Sequence, residues 1–509
     1  MPKLPTNSVG LPGPEIGRPD VLLARALEAY RNGHPEQAIQ LYHRALRIDP
    51  TNIEAINGLG AVAGNTGDLL EAIQQFENSL RIEPNQPLIW LNHGTGLLKV
   101  GLTREALHSF DRAIGLSPDF GAAHLARAST LANLGHYEEA LVAYAETARL
   151  LPNDPVTAKQ RAISLQWCGR FDQALQEFDR SIALAADHAE AWTGKAMLML
   201  MLRDLPGGFA LYEWRWLMAS WLLSPSRLNR EYPGPLWLGG TSIEGKTILV
   251  HGEQGFGDMI QFCRYADVAA EAGARVIVEV PTNLTTLMGT LKGPSQVISD
   301  QEPQPDHDLR CPMMSLPLAF GTTMETIPAD VPYLHVDPAR AFVWRERLSG
   351  LRGRHIGLAW GAGSRVGDEE MVAIEHRKSV PLVALSPLAS ITGCEFVSLQ
   401  LGPAAKQAPP PGMILRDYTE HLRDFADTAA LMDNLDLVIS VCTSTAHLAG
   451  ALGKPVWLLN RFDTDWRWFL DRDDSPWYPT MRLFRQPRPG DWGPVVQSAA
   501  DALRAFVDT

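Results

Sequence analysis

Gly101-Leu102-Thr103-Arg104-Glu105-Ala106-Leu107-His108-Ser109-Phe110-Asp111-Arg112-Ala113-Ile114-Gly115-Leu116-Ser117-Pro118 is one instance of a cycle that sets the architecture of the first 200 residues. Stepping 34 residues from its landmarks returns the same residue types. Gly101 belongs with Gly33, Gly67, Gly135 and Gly169, and Ala106 with Ala38, Ala72, Ala140 and Ala174. Phe110 belongs with Tyr42, Phe76, Tyr144 and Phe178, and Pro118 with Pro50, Pro84 and Pro152. Each landmark has a mechanical reason. Glycine releases the chain where a turn between helices needs a positive φ. Alanine lets helices approach closely, and the aromatic four residues on lies on the same helix face and fills the gap. Proline opens a connection that cannot continue the preceding helix.

This period and its A-x-x-x-F register resemble the tetratricopeptide repeat. The resemblance implies an all-α solenoid of helix hairpins over residues 19–222, with five clear units and one atypical one. The sixth keeps Trp192 and Ala196 and has Tyr212 at the aromatic position. Its segment Gly207–Trp216 carries Tyr212, Trp214 and Trp216 within five residues, poor material for a solvent-facing surface, and is expected to dock on the next domain. Such an array offers a groove for a protein or peptide partner, with Asn57, Asn65, Asn92 and Asn133 as candidate donors to its backbone. A spacer or a dimerisation surface is the alternative, which leaves a homo-oligomer open.

At 509 residues the chain has length for roughly three compact units. Hydrophobic residues at 45% and charged residues at 20% describe a globular protein. A formal charge of −13, with no basic run, argues against nucleic acid as a partner. Cys168, Cys263, Cys311, Cys394 and Cys442 are odd in number and scattered, which suits neither a disulfide framework nor a zinc site and fits a reducing compartment. Residues 1–18 are expected to be disordered, and Met1–Asp20 lacks the apolar core of a secretory signal. The apolar run Ala196–Leu202 is too short to span a bilayer, so a cytoplasmic protein without a membrane partner is expected.

Pro225, Pro233, Gly234, Pro235, Gly239 and Gly240 mark a linker over 223–243. Beyond it, apolar runs alternate with helical segments, which implies parallel sheets. Thr247–Val250 and Arg275–Val280 read as strands with a helix over Gly257–Ala272 between them. After a pause near Asp337–Gly353, His355–Trp360, Glu395–Leu399, Leu437–Val441 and Pro455–Leu459 read as strands, and Val495–Phe506 as a closing helix. Two Rossmann-like lobes in succession, 244–340 and 354–509, form the α/β layout called GT-B. Ligands collect at the carboxyl ends of such strands.

Two loops follow strands and open helices. In His251-Gly252-Glu253-Gln254-Gly255-Phe256-Gly257-Asp258 the glycines permit close ligand approach, and the helix start favours an anion. A dinucleotide fingerprint with Glu279 as ribose ligand is the rival, but the order is G-x-x-G-x-G rather than G-x-G-x-x-G. In the second loop Thr443 or Ser444 can cap a helix running to Gly453, and the hydroxyls of Thr443, Ser444 and Thr445 with His447 one turn on make a seat for a diphosphate. Asp463-Thr464-Asp465 and Asp471–Asp474 mimic a metal-binding D-x-D but lie late in the second lobe, so no metal site is expected. Trp466–Tyr478 is expected to shape the cleft or to pack under the last helix.

Residues 245–507 resemble the bacterial heptosyltransferases (glycosyltransferase family 9), through the Gly255-Phe256-Gly257-Asp258 loop, the Thr443–His447 helix start and Glu375-His376-Arg377-Lys378-Ser379-Val380-Pro381. With the repeats, the layout is similar to TPR-fused GT-B transferases, some of which modify flagellins, and to protein O-glycosyltransferases. The resemblance implies metal-independent, inverting transfer from a nucleotide sugar, with no separate cofactor. It implies Asp258 as the base that takes the acceptor proton, Gly255 and Gly257 beside it, and a donor held by Thr443, Ser444, Thr445, His447, Lys378 and its neighbour Arg377. A cation there neutralises the departing diphosphate. The chain departs from the family at Cys442, where an Asp is usual, and this puts the contact to the sugar in doubt.

The expected function is therefore transfer of a sugar to a Ser or Thr hydroxyl of a protein recruited by the repeats, flagellin being one candidate. Two alternatives remain: a non-catalytic repeat scaffold with a nucleotide-binding or degenerate α/β domain, and a transferase acting on lipopolysaccharide or another glycan. Asp258 as a helix-capping residue, Cys442 as a buried thiol and the basic residues as a solvated loop are the corresponding structural readings.

Overall fold

A computed structural model describes residues 18–218, 230–363 and 369–508. The part of the expected disordered segment before Arg18, residues 219–222 at the end of the expected repeats and residues 223–229 of the linker lie outside the described residues. The chain divides into two compact units, Met1–Cys168 and Gly169–Thr509, so the division falls inside the repeats rather than at the linker.

The first unit is a run of helix hairpins: Pro19–Arg31 with Pro35–Ile48, Ile53–Thr66 with Leu69–Ile82, Pro87–Lys99 with Thr103–Leu116, and Gly121–Asn133 with Tyr137–Leu150, followed by Pro155–Trp167. The landmarks behave as the period requires. Gly33, Gly67, Gly101, Gly135 and Gly169 all have positive φ, between 72° and 91°. The five repeat alanines and their aromatic partners are buried. The packing also shows why other positions stay small. A Cβ on Gly94 would lie 2.5 Å from Cε1 of Phe110, and one on Gly60 would lie 2.6 Å from Cε1 of Phe76. Both rings are held in the core, so neither can yield.

The second unit opens with the helices Phe171–Leu184, Ala189–Met201 and Leu205–Tyr212 and a 3-10 turn, Glu213–Leu217. The aromatic segment docks on the α/β part as expected. Phe209 meets Trp466 edge-on at 5.7 Å, and Arg215 reaches Glu253. In the first sheet, β1 (Thr247–His251), β2 (Arg275–Val280), β3 (Gln296–Ser299) and β4 (Leu309–Pro312) are parallel in the order β3-β2-β1-β4. The second sheet holds β5 (Arg354–Ala359), β6 (Cys394–Ser398), β7 (Leu415–Asp417), β8 (Leu437–Val441), β9 (Val456–Asn460) and β10 (Met481–Arg485). Its strands are parallel in the order β10-β9-β8-β5-β6-β7.

The closing helix, Trp492–Val507, buries Val495, Val496, Ala499, Ala500 and Leu503 against Ile356, Ile439, Trp457 and Phe484. Three readings are corrected. The expected helix Gly257–Ala272 is two helices, Phe256–Phe262 and Tyr265–Glu271, because the Arg264 guanidinium turns inward to the carbonyls of Pro328 and Trp477 and to the Tyr333 hydroxyl. The pause near Asp337–Gly353 contains a helix, Pro338–Leu348, capped by Asp337. Glu375–Lys378 is the last turn of a helix, Glu369–Lys378, not a loop.

Candidate functional site

The loops after β1, β8 and β9 meet at the carboxyl ends of the strands. Gly255 precedes the Phe256–Phe262 helix, and its N–H donates to Oδ2 of Asp258 at 3.0 Å. This helix runs against Ser444–Ala451. A Cβ on Gly257 would lie 2.9 Å from Cδ2 of His447 and 3.5 Å from Cα of Ser444, so only glycine permits this approach. The helix start at residue 444 therefore faces the first sheet's loop.

Thr443 sits at the cap position, as expected, but its hydroxyl does not cap. Its carbonyl takes the N–H groups of Ala446 and His447. The N–H groups of Ser444 and Thr445 have no hydrogen-bond partner among the described residues, and Thr443, Ser444 and Thr445 are half-buried rather than sealed off. An uncapped helix start of this kind carries partial positive charge and suits an anion.

His447 is buried one turn on. Its Nδ1 pairs with the Tyr478 hydroxyl at 3.0 Å, and its ring stacks on Trp468 at 5.3 Å. Burial, then the Arg467 charge, lowers its pKa to about 3, so the ring is neutral and serves as a hydrogen-bonding group. The Trp468 indole N–H also donates to Sγ of Cys442 at 3.2 Å. Burial, then Asp465, raises the pKa of that thiol, so Cys442 stays protonated and does not replace a carboxylate. Lys378 is half-buried and makes no hydrogen bond or ion pair among the described residues, while its charge acts on Cys442 and His447. Arg377 is engaged differently, donating to Asp463 at 2.8 Å.

Asp258 is doubly held. Its Oδ1 lies 2.5 Å from Nη2 of Arg467, which also donates to Asp465 at 2.9 Å and to Gln261 at 2.9 Å. Burial opposes the Arg467 charge, and Asp465 and Asp258 outweigh it, so its pKa is raised. Reading the residues did not find Arg467. Its signal was the D-x-D-like stretch itself: Asp463 and Asp465 bind arginines, while Trp466 packs on Phe262 and Trp468 and Tyr478 pack on His447. Among the described residues no three metal-ligating side chains come together. Asn57 and Asn65, offered as peptide contacts, bond instead to Gln86 and Tyr30 within the array.

The rival ribose ligand, Glu279, is taken. Arg230 grips it at 2.6 and 3.1 Å and the Tyr232 hydroxyl donates at 2.9 Å. Tyr232 also stacks at 3.8 Å on His251, a buried ring whose two nitrogens have no hydrogen-bond partner among the described residues. Burial, then Arg310, lowers the His251 pKa to about 3. Both histidines thus titrate far below the ordinary 6.5 when folded. An unfolded chain binds these protons below about pH 6.5 and the folded one resists until about 3. Stability is full above that window and falls with pH inside it, by about 1.4 kcal/mol per pH unit for each ring. Urea midpoints at pH 7, 6 and 5 check this; His251→Phe is expected to flatten the slope, and an unchanged slope shows that His251 contributes nothing to it.

Tetratricopeptide-repeat families match residues 19–52, 91–155 and 162–213. Protein FlbA of Caulobacter vibrioides is 27% identical over 358 residues, 64% of this chain and 57% of its own, so the chain spans little more than half of that relative. Among solved structures, YrrB, described as a TPR protein with an unusual peptide-binding site, is 25% identical with a TM-score of 0.32, over 34% of this chain and 90% of its own. MamA is 19% identical with a TM-score of 0.31, over 34% of this chain and 94% of its own. PilF of Pseudomonas aeruginosa is 19% identical with a TM-score of 0.35, over 38% and 88%. Among the described residues no helix is long and apolar enough to cross a membrane. The chain contains tetratricopeptide repeats, and its N-terminal part is a protein-interaction scaffold followed by a region of parallel sheets.

Proposed function

We propose that the α/β part is a GT-B glycosyltransferase that moves a sugar from a nucleotide-sugar donor to a Ser or Thr hydroxyl of a protein held by the repeats. What supports this reading is Lys378, a cation without a partner among the described residues whose charge acts on Cys442 and His447, with an uncapped helix start that faces the helix of Asp258 at Gly257. The diphosphate takes the N–H groups of Ser444 and Thr445 and the Lys378 ammonium, with the neutral His447 ring beside them. The acceptor oxygen bonds to the anomeric carbon as the bond from that carbon to the phosphate oxygen breaks. The hydroxyl proton passes to Oδ1 of Asp258, and the electron pair leaves with the nucleoside diphosphate. For this, Oδ1 turns from Arg467 to the acceptor, while Oδ2 stays on the Gly255 N–H and Asp465 keeps Arg467 neutralised.

A second reading, a scaffold without catalysis, is favoured by the neutral thiol of Cys442 and by the two contacts that occupy Asp258. Titration calorimetry of the full chain with nucleotide sugars separates the two. Saturable binding that Lys378→Met weakens about tenfold supports a donor site, since a hydrogen bond to a charged group contributes about 1.5–3 kcal/mol. No saturable binding leaves the scaffold.

A further inference from the structure

Where Cys442 denies the helix start a carboxylate, the loop after β9 brings one. Asp465 opens the 3-10 turn Trp466–Trp468, whose last indole rests on both Cys442 and His447. Its Oδ1 accepts from the Arg467 backbone N–H at 3.1 Å and from Nη1 at 2.9 Å. Its Oδ2 makes no hydrogen bond among the described residues, and the side chain is 29% exposed. Arg467 outweighs burial and holds the carboxyl below its ordinary range, so it is ionised. The same neighbourhood holds Arg461, only 8% exposed, whose Nη1 lies 3.3 Å from Asp463 yet makes no hydrogen bond among the described residues. Its charge acts on both Cys442 and Asp465.

An ionised carboxylate with one open oxygen repels a diphosphate and accepts strongly from hydroxyls; adjacent cations do the reverse. We infer that Asp465 Oδ2 receives a vicinal diol of the donor, so that the sugar end lies toward the turn after β9 and the diphosphate toward Lys378 and Arg461. This rests on the donor site proposed above and names a specificity-determining residue within it. The diol belongs either to the transferred sugar or to the nucleotide ribose, which share this chemistry.

The test is calorimetry on the full chain, wild type and Asp465→Asn, with UDP, GDP and ADP, their 2′-deoxy forms, UDP-N-acetylglucosamine and GDP-mannose. The asparagine can still accept from the Arg467 N–H, and an unchanged melting temperature confirms that the turn persists. Loss of about 10- to 100-fold in affinity for a nucleotide sugar, with its nucleoside diphosphate unaffected, assigns Asp465 to the transferred sugar. The same loss for a ribonucleotide but not its deoxy form assigns it to the ribose. Equal losses for all ligands, or none, overturn the inference. Absence of binding by the wild type to every ligand fails the donor site itself, and the inference with it.

Discussion

On the proposed reading, Asp258→Asn is expected to lower transfer by about 100- to 10,000-fold, the range for removing a general base, and to leave donor affinity unchanged. The carboxylate makes two contacts, and the substitution treats them differently. An asparagine oxygen can still accept from the Gly255 N–H, so the helix start keeps its cap. The amide cannot take a proton, and its NH2 faces the Arg467 guanidinium, whose remaining partners are Asp465 and Gln261. The expected result is loss of transfer with the fold kept. Intact-mass analysis of acceptor proteins from cells carrying the variant reads the first effect, and calorimetry with a nucleotide sugar reads the second. Normal modification in the variant removes Asp258 as base and leaves it as a capping residue.

Arg215→Ala is expected to destabilise the second unit by about 3–5 kcal/mol, the cost of leaving a buried charge without its partner. Arg215 and Glu253 each expose 2% of their side chains and meet at 2.8 Å through two parallel contacts. Ser315 Oγ and Glu213 accept further hydrogen bonds from Arg215, and the Met314 N–H donates to Glu253. Tyr212 and Trp216 stack over the guanidinium at 5.0 and 4.6 Å. Burial, ahead of the opposing Arg215 charge, already raises the Glu253 pKa, and loss of Arg215 raises it further. A group whose folded pKa lies above its unfolded one is tolerated best when protonated, so the loss is smaller at pH 5 than at pH 8. Urea denaturation at both values checks sign and size. Arg215→Met with Glu253→Met recovers most of the loss, because replacing both members of a buried pair removes the unpaired charge. A single-variant loss below about 1 kcal/mol means that water reaches Glu253.

Both residues join elements that no short window of sequence connects. The repeats were legible because each landmark acts inside its own hairpin or on the next one, and the landmarks recur five times at an interval of 34 residues. The strands β1, β2, β5, β6, β8 and β9 were legible as apolar runs. The ones missed, β3, β4, β7 and β10, are three to five residues long. β10 has its apolar residues interrupted by Arg482 and Arg485 with no regular period, and short edge strands carry little pattern of their own. The break at Cys263–Arg264 left no local mark either, since its cause is the set of partners that Arg264 finds far along the chain.

The candidate site divides in the same way. Glycines, hydroxyls and a histidine after a strand announce an anion-binding helix start, because such a start is built from consecutive residues. Arg467 and Asp258 stand 209 residues apart, and nothing local to either tells of the other. From sequence alone came a repeat array, alternating strands and helices, and the loops where ligands collect, all consequences of backbone preference and short-range patterning. The folded chain alone decided that Asp258 is held by an arginine, that Arg377 is paired while Lys378 has no partner among the described residues, and that Asp465 stands beside Cys442. Those pairings are settled by which charges are buried together, and burial is a property of the whole chain.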